Sequence, residues 1–496
     1  MSTDTSAETR RGGSSMLGDG AITVAERIVS QAAQFAIFIV AARVLGPAEF
    51  GVFALVSACA ILLFRFSEFG WAPFIMAWSG DSRVPQQVLF IAITSGAAVS
   101  LLGILAAQLS GRFGVAADTV VLMELFAAWV VLATASSAQK GVMIWQRKMK
   151  ASALCEIVGE VVGLIVAVAG LLRGHGVYSL AYGRIAYQST HLALSFLVTR
   201  MPPRAGLRGP VLRDLWTFSA QIFASRMFTY VRLYLATFIV GGFLGAAAVG
   251  YFRAADRLVS AVAEVIAVPG QLLAWTRLRL ARDEGPADAQ QARLRVALRG
   301  FLSGLFALSA PVFLWLICMS DELIRGLLSA EWEPAGPLVA ILALSRLVFM
   351  FGLLTEPTMS VSGHARVLPV FAGVVFAIST ALTFGAVHLG LQALAWSQVA
   401  IAVLVLVATF WLFRRYAGVT PAEILSDITG ALVPLALGTG VLLALNLGTD
   451  GMGLPPLVEA VLYGLAALAV YILALWRLAP RLWAQLSSGF RKRVLS

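Results

Sequence analysis

The chain has 496 residues, of which 59% are hydrophobic and 13% charged, with a net charge of +11 and a mean hydropathy of +0.86. That charged fraction is far below the ~25% of soluble domains, which excludes a soluble enzyme and a soluble nucleic-acid-binding protein. Apolar runs of ~20 residues, the length that a ~30 Å bilayer core requires, recur along nearly the whole chain, so the sequence predicts an all-α polytopic membrane protein.

In chain order, residues 1–16 are polar and read as a cytoplasmic tail. Glu26 and Arg27 lie inside the first apolar segment and no small-residue cleavage site ends it, so a cleaved signal peptide is not expected. About fourteen helices are predicted. Six run over 17–42, 48–78, 84–109, 118–139, 150–172 and 177–199. Six more run over 213–241, 246–274, 296–318, 334–358, 366–387 and 389–413, and two close the chain at 427–447 and 456–476. The second and eighth segments are long and are expected to tilt or break near Pro73 and Pro269. The polar stretch 276–295 links the eighth and ninth segments, 319–333 reads as an acidic outer loop, and 478–496 is a basic tail.

Basic residues orient this map. With the N-terminus inside, 25 of the 37 Lys and Arg, Lys140 among them, fall in cytoplasmic segments. Only Arg43, Arg112, Arg173 and Arg325 fall outside, and the other eight lie within helices. Cytoplasmic loops collect Lys and Arg, so an even number of crossings with both termini inside is expected.

The chain also repeats itself. Leu45, Gly46, Ala48, Gly51 and Phe53 match Leu244, Gly245, Ala247, Gly250 and Phe252 at one offset, which also lays Arg27 on Arg226. Gly176-Val-Tyr-Ser-Leu-Ala-Tyr pairs with Gly390-Leu-Gln-Ala-Leu-Ala-Trp, each opening an even-numbered segment. Two six-helix lobes in parallel repeat follow, an N-lobe over 17–200 and a C-lobe over 213–415, with two extra C-terminal helices over 427–477.

Charges at membrane depth are costly and face a cavity or a partner. Arg27 and Arg226 hold equivalent positions in the two copies. Arg253 and Arg257 share a face with Asp256 beside them. With Arg232 and Arg346 they make a candidate cationic, anion-binding set, because guanidinium groups grip phosphate bidentately. Glu156 and Glu160, four apart on one face, are ion-coupling candidates that could share a proton. Glu26, Asp256 and Glu356 join them. Pairing with intramembrane arginine is the competing, purely structural reading of these carboxylates. Cys59, Cys155 and Cys318 lie in apolar segments and the four histidines are scattered, so neither disulfides, a metal site nor a cofactor is expected. Trp78, Trp145, Trp216, Trp275 and Trp411 near helix ends read as an interfacial belt. No nucleotide or nucleophile motif appears, and transport energy would have to come from an ion gradient or the substrate.

At these residues the sequence resembles the Wzx-type oligosaccharide flippases of the multidrug/oligosaccharidyl-lipid/polysaccharide exporter superfamily. Ala41-Ala-Arg-Val-Leu-Gly-Pro-Ala-Glu-Phe-Gly51 is similar to the family's first-loop signature, and Phe243 to Ala255 to its copy in the second lobe. Glu331-Trp-Glu-Pro-Ala335 and Ser362-Gly-His-Ala-Arg366 resemble two later signatures. The likeness spans roughly 17–415. It implies two six-helix lobes around a cationic cavity in the bacterial inner membrane. It also implies a monomer that carries an undecaprenyl-diphosphate-linked oligosaccharide outward by alternating access. Membrane lipids and a polysaccharide polymerase or export machinery are the implied partners, and no nucleic acid. Ala236 stands where members often carry Asp ahead of an Ile-Ile-Gly, here Ile239-Val-Gly241, which puts a coupling role at that position in doubt. Two other readings are a drug/cation antiporter of the same superfamily, which needs an acidic cavity, and a membrane-embedded polysaccharide polymerase or ligase, which needs a large outer loop.

Overall fold

The computed structural model describes residues 26–207, 209–284, 286–448 and 454–485, without the side chains of 224–226, 228, 229, 232 and 287. The predicted tail at 1–16, the tail beyond 485, Arg208, and the side chains of Arg226 and Arg232 therefore lie outside the described residues. All regular secondary structure among the described residues is helical. Two compact units divide the chain, Met1–Gly241 and Gly242–Ser496.

The first unit holds α1 (Glu26–Val44), α2 (Pro47–Glu68), α3 (Trp71–Ala77), α4 (Arg83–Arg112), α5 (Ala117–Trp145), α6 (Met149–Leu172) and α7 (Tyr178–Thr199). The backbone is extended at Gly46 (ψ 165°), and Pro47, with its φ preset for a helix, opens α2. The second predicted segment does break, but ahead of Pro73. Phe69 (φ 40°) and Gly70 (φ 95°) are both left-handed, the Phe69 N–H closes α2 on the Arg65 carbonyl, and Pro73 fits the first turn of α3. A Cβ on Gly70 would stand 3.2 Å from Ser219 Cα, so close packing and backbone conformation both ask for glycine there.

The helix α8 (Gly209–Asp283) starts in the first unit and ends in the second. Its early part packs on the first unit: Leu215 is fully buried with Trp71, Phe74, Val88 and Val142, and Phe223 stacks on Phe69 at 4.7 Å. The expected break at Pro269 is absent, because α8 stays helical through it. The backbone leaves the helix at Gly245 instead (φ 82°, ψ 178°), where the seventh and eighth predicted segments meet.

The second unit continues with α9 (Gln290–Cys318), α10 (Ser320–Leu327), α11 (Gly336–Phe349), α12 (Thr355–Val361), α13 (Leu368–Val387), α14 (Leu391–Leu412), α15 (Pro421–Gly448) and α16 (Pro456–Leu478). The predicted tenth segment is divided between α11 and α12 by a 3-10 stretch, Met350–Leu354. The predicted loop 319–333 is mostly folded into α10 and a tight turn over Ala330–Ala335, which buries Trp332 completely. The core of this unit gathers Leu298, Leu302 and Leu305 of α9 with Leu354, Met359, Leu412, Phe413 and Ile428.

Twelve described helices are long and apolar enough to cross a membrane. The more polar α7, and the division of α8 at Gly245, account for the difference from the fourteen predicted segments. The glycines matched in the sequence repeat share backbone roles. Gly46 and Gly245 both sit in breaks between helical stretches, extended at Gly46 and with positive φ at Gly245, and Gly176 (φ 57°) and Gly390 (φ 98°) both precede the last helix of a predicted lobe.

Candidate functional site

In the first unit several charges carried by the long apolar helices are gathered rather than scattered. Glu156 on α6 is the hub. Lys140 Nζ reaches its Oε2 at 3.0 Å and Glu26 Oε1 on α1 at 3.5 Å. The Tyr187 hydroxyl on α7 donates to Glu156 Oε1 at 2.6 Å. His191, one turn further along α7 and almost fully buried, sets its Nε2 3.3 Å from Glu156 Oε2, off line for a hydrogen bond, while its Nδ1 bonds to Ser136. Glu160 accepts from Gln34 Nε2 of α1 at 3.0 Å. Helical spacing explains the assembly. Glu156 and Glu160 lie on one face of α6, Tyr187 and His191 on one face of α7, and Ser136 and Lys140 on one face of α5.

The sequence-predicted pair Glu156 and Glu160 thus sits in this region, but the two take separate partners. The cation that answers Glu156 is a lysine, not an arginine. The fourth predicted segment ends at 139, whereas α5 runs on to Trp145 and carries Lys140 inside the helix. Tyr187 and His191 were not singled out. Their spacing of four, matching that of the two glutamates, was the available signal. Nearby, Arg65 pairs with Glu68 at 2.7 Å and lies 4.3 Å from the Tyr230 ring, and the Ser137 hydroxyl donates to Glu68 at 2.7 Å.

In the second unit Arg253 Nη1 lies 3.3 Å from Asp256 Oδ2, and Arg346 of α11 reaches Asp256 Oδ1 at 3.1 Å and Ser260 Oγ at 3.3 Å. Two guanidinium groups share one carboxylate, so the trio carries a positive excess. Arg257 is half-buried one turn from Arg253. Arg27 and Glu356 are exposed. No group of three or more His, Cys, Asp and Glu placed to hold a metal occurs among the described residues.

The chain as a whole resembles known proteins. The model of the family described as "Polysaccharide biosynthesis protein" matches residues 40–337. The succinoglycan biosynthesis transport protein ExoT of Rhizobium meliloti (strain 1021) is 24% identical over 389 residues, 75% of each chain. Among solved structures, the lipid II flippase MurJ in an inward closed conformation superposes with a TM-score of 0.69 at 13% identity, covering 97% of this chain and 100% of that one. An inward-facing multidrug resistance MATE transporter of the MOP superfamily superposes at 0.58 with 14% identity, covering 78% of this chain and 94% of that one. The two superpositions establish a shared fold. Because the family match runs over more than half of the sequence, from the end of α1 into α11, this chain belongs to the polysaccharide biosynthesis protein family.

Proposed function

We propose that this protein is a flippase that moves a lipid-linked oligosaccharide across the bacterial inner membrane for surface or secreted polysaccharide synthesis. The observation that carries this reading is the family match over 40–337, together with a likeness to ExoT along most of both chains. The family's description supports a role in polysaccharide synthesis, and the name of ExoT supports transport as that role. The substrate we assign is an undecaprenyl-diphosphate-linked repeat unit, handed to polymerizing or exporting machinery. Fourteen crossings, cytoplasmic termini, and lobes over 17–200 and 213–415 complete the proposal.

The diphosphate is assigned to the arginine set Arg27, Arg226, Arg232, Arg253, Arg257 and Arg346. The positive excess around Asp256 supports this, since guanidinium groups recognise phosphate oxygens in pairs. Glu26, Glu156 and Glu160 are the carboxylates we assign to ion coupling, because they are collected in one unit with a lysine and a tyrosine. Asp256 is a counter-ion to two arginines, and Glu356 is exposed.

Deleting the gene and profiling polyprenyl-linked lipids by mass spectrometry tests the reading. The expected result is accumulation of one lipid-diphosphate oligosaccharide with loss of one polymer. An unchanged lipid pool with intact polymer overturns it. The same acidic group favours, as a second reading, a cation antiporter of the same superfamily. Efflux of toxic organic cations by the protein, without lipid accumulation in the deletion strain, would support that alternative.

A further inference from the structure

A polar pocket in the second unit lies apart from both charge clusters. It has a volume of about 390 Å³ and lies where α8 ends, α9 begins, α12 ends and α14 is succeeded by a π-helical turn. Ligand clefts run from roughly 300 to 1,000 Å³, so the space suits one small ring. Its hydrogen-bonding wall is made by Asp288, Gln290, Gln291, Thr358 and Ser362. His364 and Tyr416 form an aromatic wall, their rings 4.6 Å apart and tilted by 41°, and Leu278 and Leu294 supply an apolar surface.

The chemistry of the wall selects the ligand class. No Lys or Arg lines the pocket, and Asp288 repels anions, so a phosphate does not fit. Amides, hydroxyls and a carboxylate suit the edge hydroxyls of a neutral sugar ring, and aromatic and aliphatic surfaces suit its C–H faces. We propose that this pocket binds one neutral hexopyranose unit of the lipid-linked oligosaccharide. The proposal rests on the flippase reading. Arg277, Arg279, Arg366, Arg414 and Arg415 flank the same helix ends and place the pocket on the cytoplasmic side, where the saccharide is loaded. The pocket would recognise the cargo by its sugar, separately from the arginines assigned to its diphosphate.

The test uses the full chain in phospholipid nanodiscs free of glycoside detergent. Methyl glucopyranoside and methyl galactopyranoside are the probes, read by saturation-transfer NMR, with inorganic phosphate as competitor. At least one hexoside should bind, phosphate should not displace it, and Tyr416→Ala and Gln291→Ala should each weaken it about tenfold. Gln291 is exposed, so its variant keeps the test decisive if Tyr416→Ala fails to fold. No hexoside signal from the wild-type protein, an unchanged signal in the folded variants, or displacement by phosphate overturns the proposal. Lipid profiling of the deletion strain separates the two readings. Accumulated lipid-linked oligosaccharide without hexoside binding keeps the flippase and rejects the pocket, whereas variant-sensitive hexoside binding without accumulation keeps the pocket and rejects the flippase.

Discussion

Lys140 shows how one side chain decides whether a cluster of carboxylates is tolerable at membrane depth. Its ammonium stands between Glu26 and Glu156 and is 38% exposed, so its pairing is strong but partly screened. Lys140→Ala leaves two carboxylates without that cation. We expect a loss of roughly 1–3 kcal/mol, read as a lowered midpoint of thermal unfolding in a non-glycoside detergent. Adding Glu156→Gln to Lys140→Gln should be less damaging than Lys140→Gln alone, because one carboxylate fewer is then left without its cation. Equal damage from the double variant would mean that the pair does not act as a unit. Tyr187→Phe removes one hydrogen bond to Glu156 and should cost only about 1 kcal/mol. The glutamates and their spacing were legible in the sequence. Lys140 was not, because a basic residue at the end of an apolar run is read as a loop charge until the helix is seen to continue for more than a turn.

At the scale of elements, helix breaks are set by glycine and by what packs over it. Gly70 and Gly245 both have positive φ, but only Gly70 has a neighbour that a methyl group would press against. Gly245→Ala should therefore cost about 1 kcal/mol from backbone conformation alone, and Gly70→Ala clearly more. Comparing thermal unfolding of the two variants checks the ranking, and an equal or reversed order would contradict the packing argument. A second device ties α15 to α9. Arg299 grips Asp427 with two hydrogen bonds of 2.7 and 2.8 Å and also reaches Glu423 at 2.9 Å. Glu423 accepts in turn from the Thr420 N–H at 2.9 Å, closing a capping box at the start of α15. Arg299→Ala should lower stability by roughly 1 kcal/mol, the modest worth of a part-exposed bidentate pair. A thermal midpoint indistinguishable from wild type would show that helix packing alone holds α15. The break expected near Pro73 does occur, at Phe69–Gly70 just ahead of it, whereas α8 continues through Pro269, because Pro is tolerated in a first turn and within membrane helices whose freed carbonyls find other partners.

For the whole molecule, the bias of Lys and Arg toward alternate loops predicts that both termini face the cytoplasm. A C-terminal green fluorescent protein fusion should fluoresce and a C-terminal alkaline phosphatase fusion should be inactive. The opposite pattern would require an odd number of crossings or an inverted chain. Helices extend through Lys140 and through Arg277, Arg279, Arg282, Arg293 and Arg295, so the fusions, rather than the helix boundaries, test this orientation.

The sequence alone determined the class of protein, the order of nearly every helix and the repeat of its glycine-marked breaks. These follow from local composition: a membrane span must be apolar over its length, and a left-handed or extended break favours glycine. Only the tertiary structure decided which charges meet. Glu156 finds Lys140 from α5 and Tyr187 and His191 from α7, and Asp256 finds Arg346 from α11. Only it could bring His364 and Tyr416 together with Asp288 and Gln291 around one polar pocket. The physical reason is that helical periodicity tells which residues share a face, while the neighbour that face meets is set by packing between segments far apart in the chain.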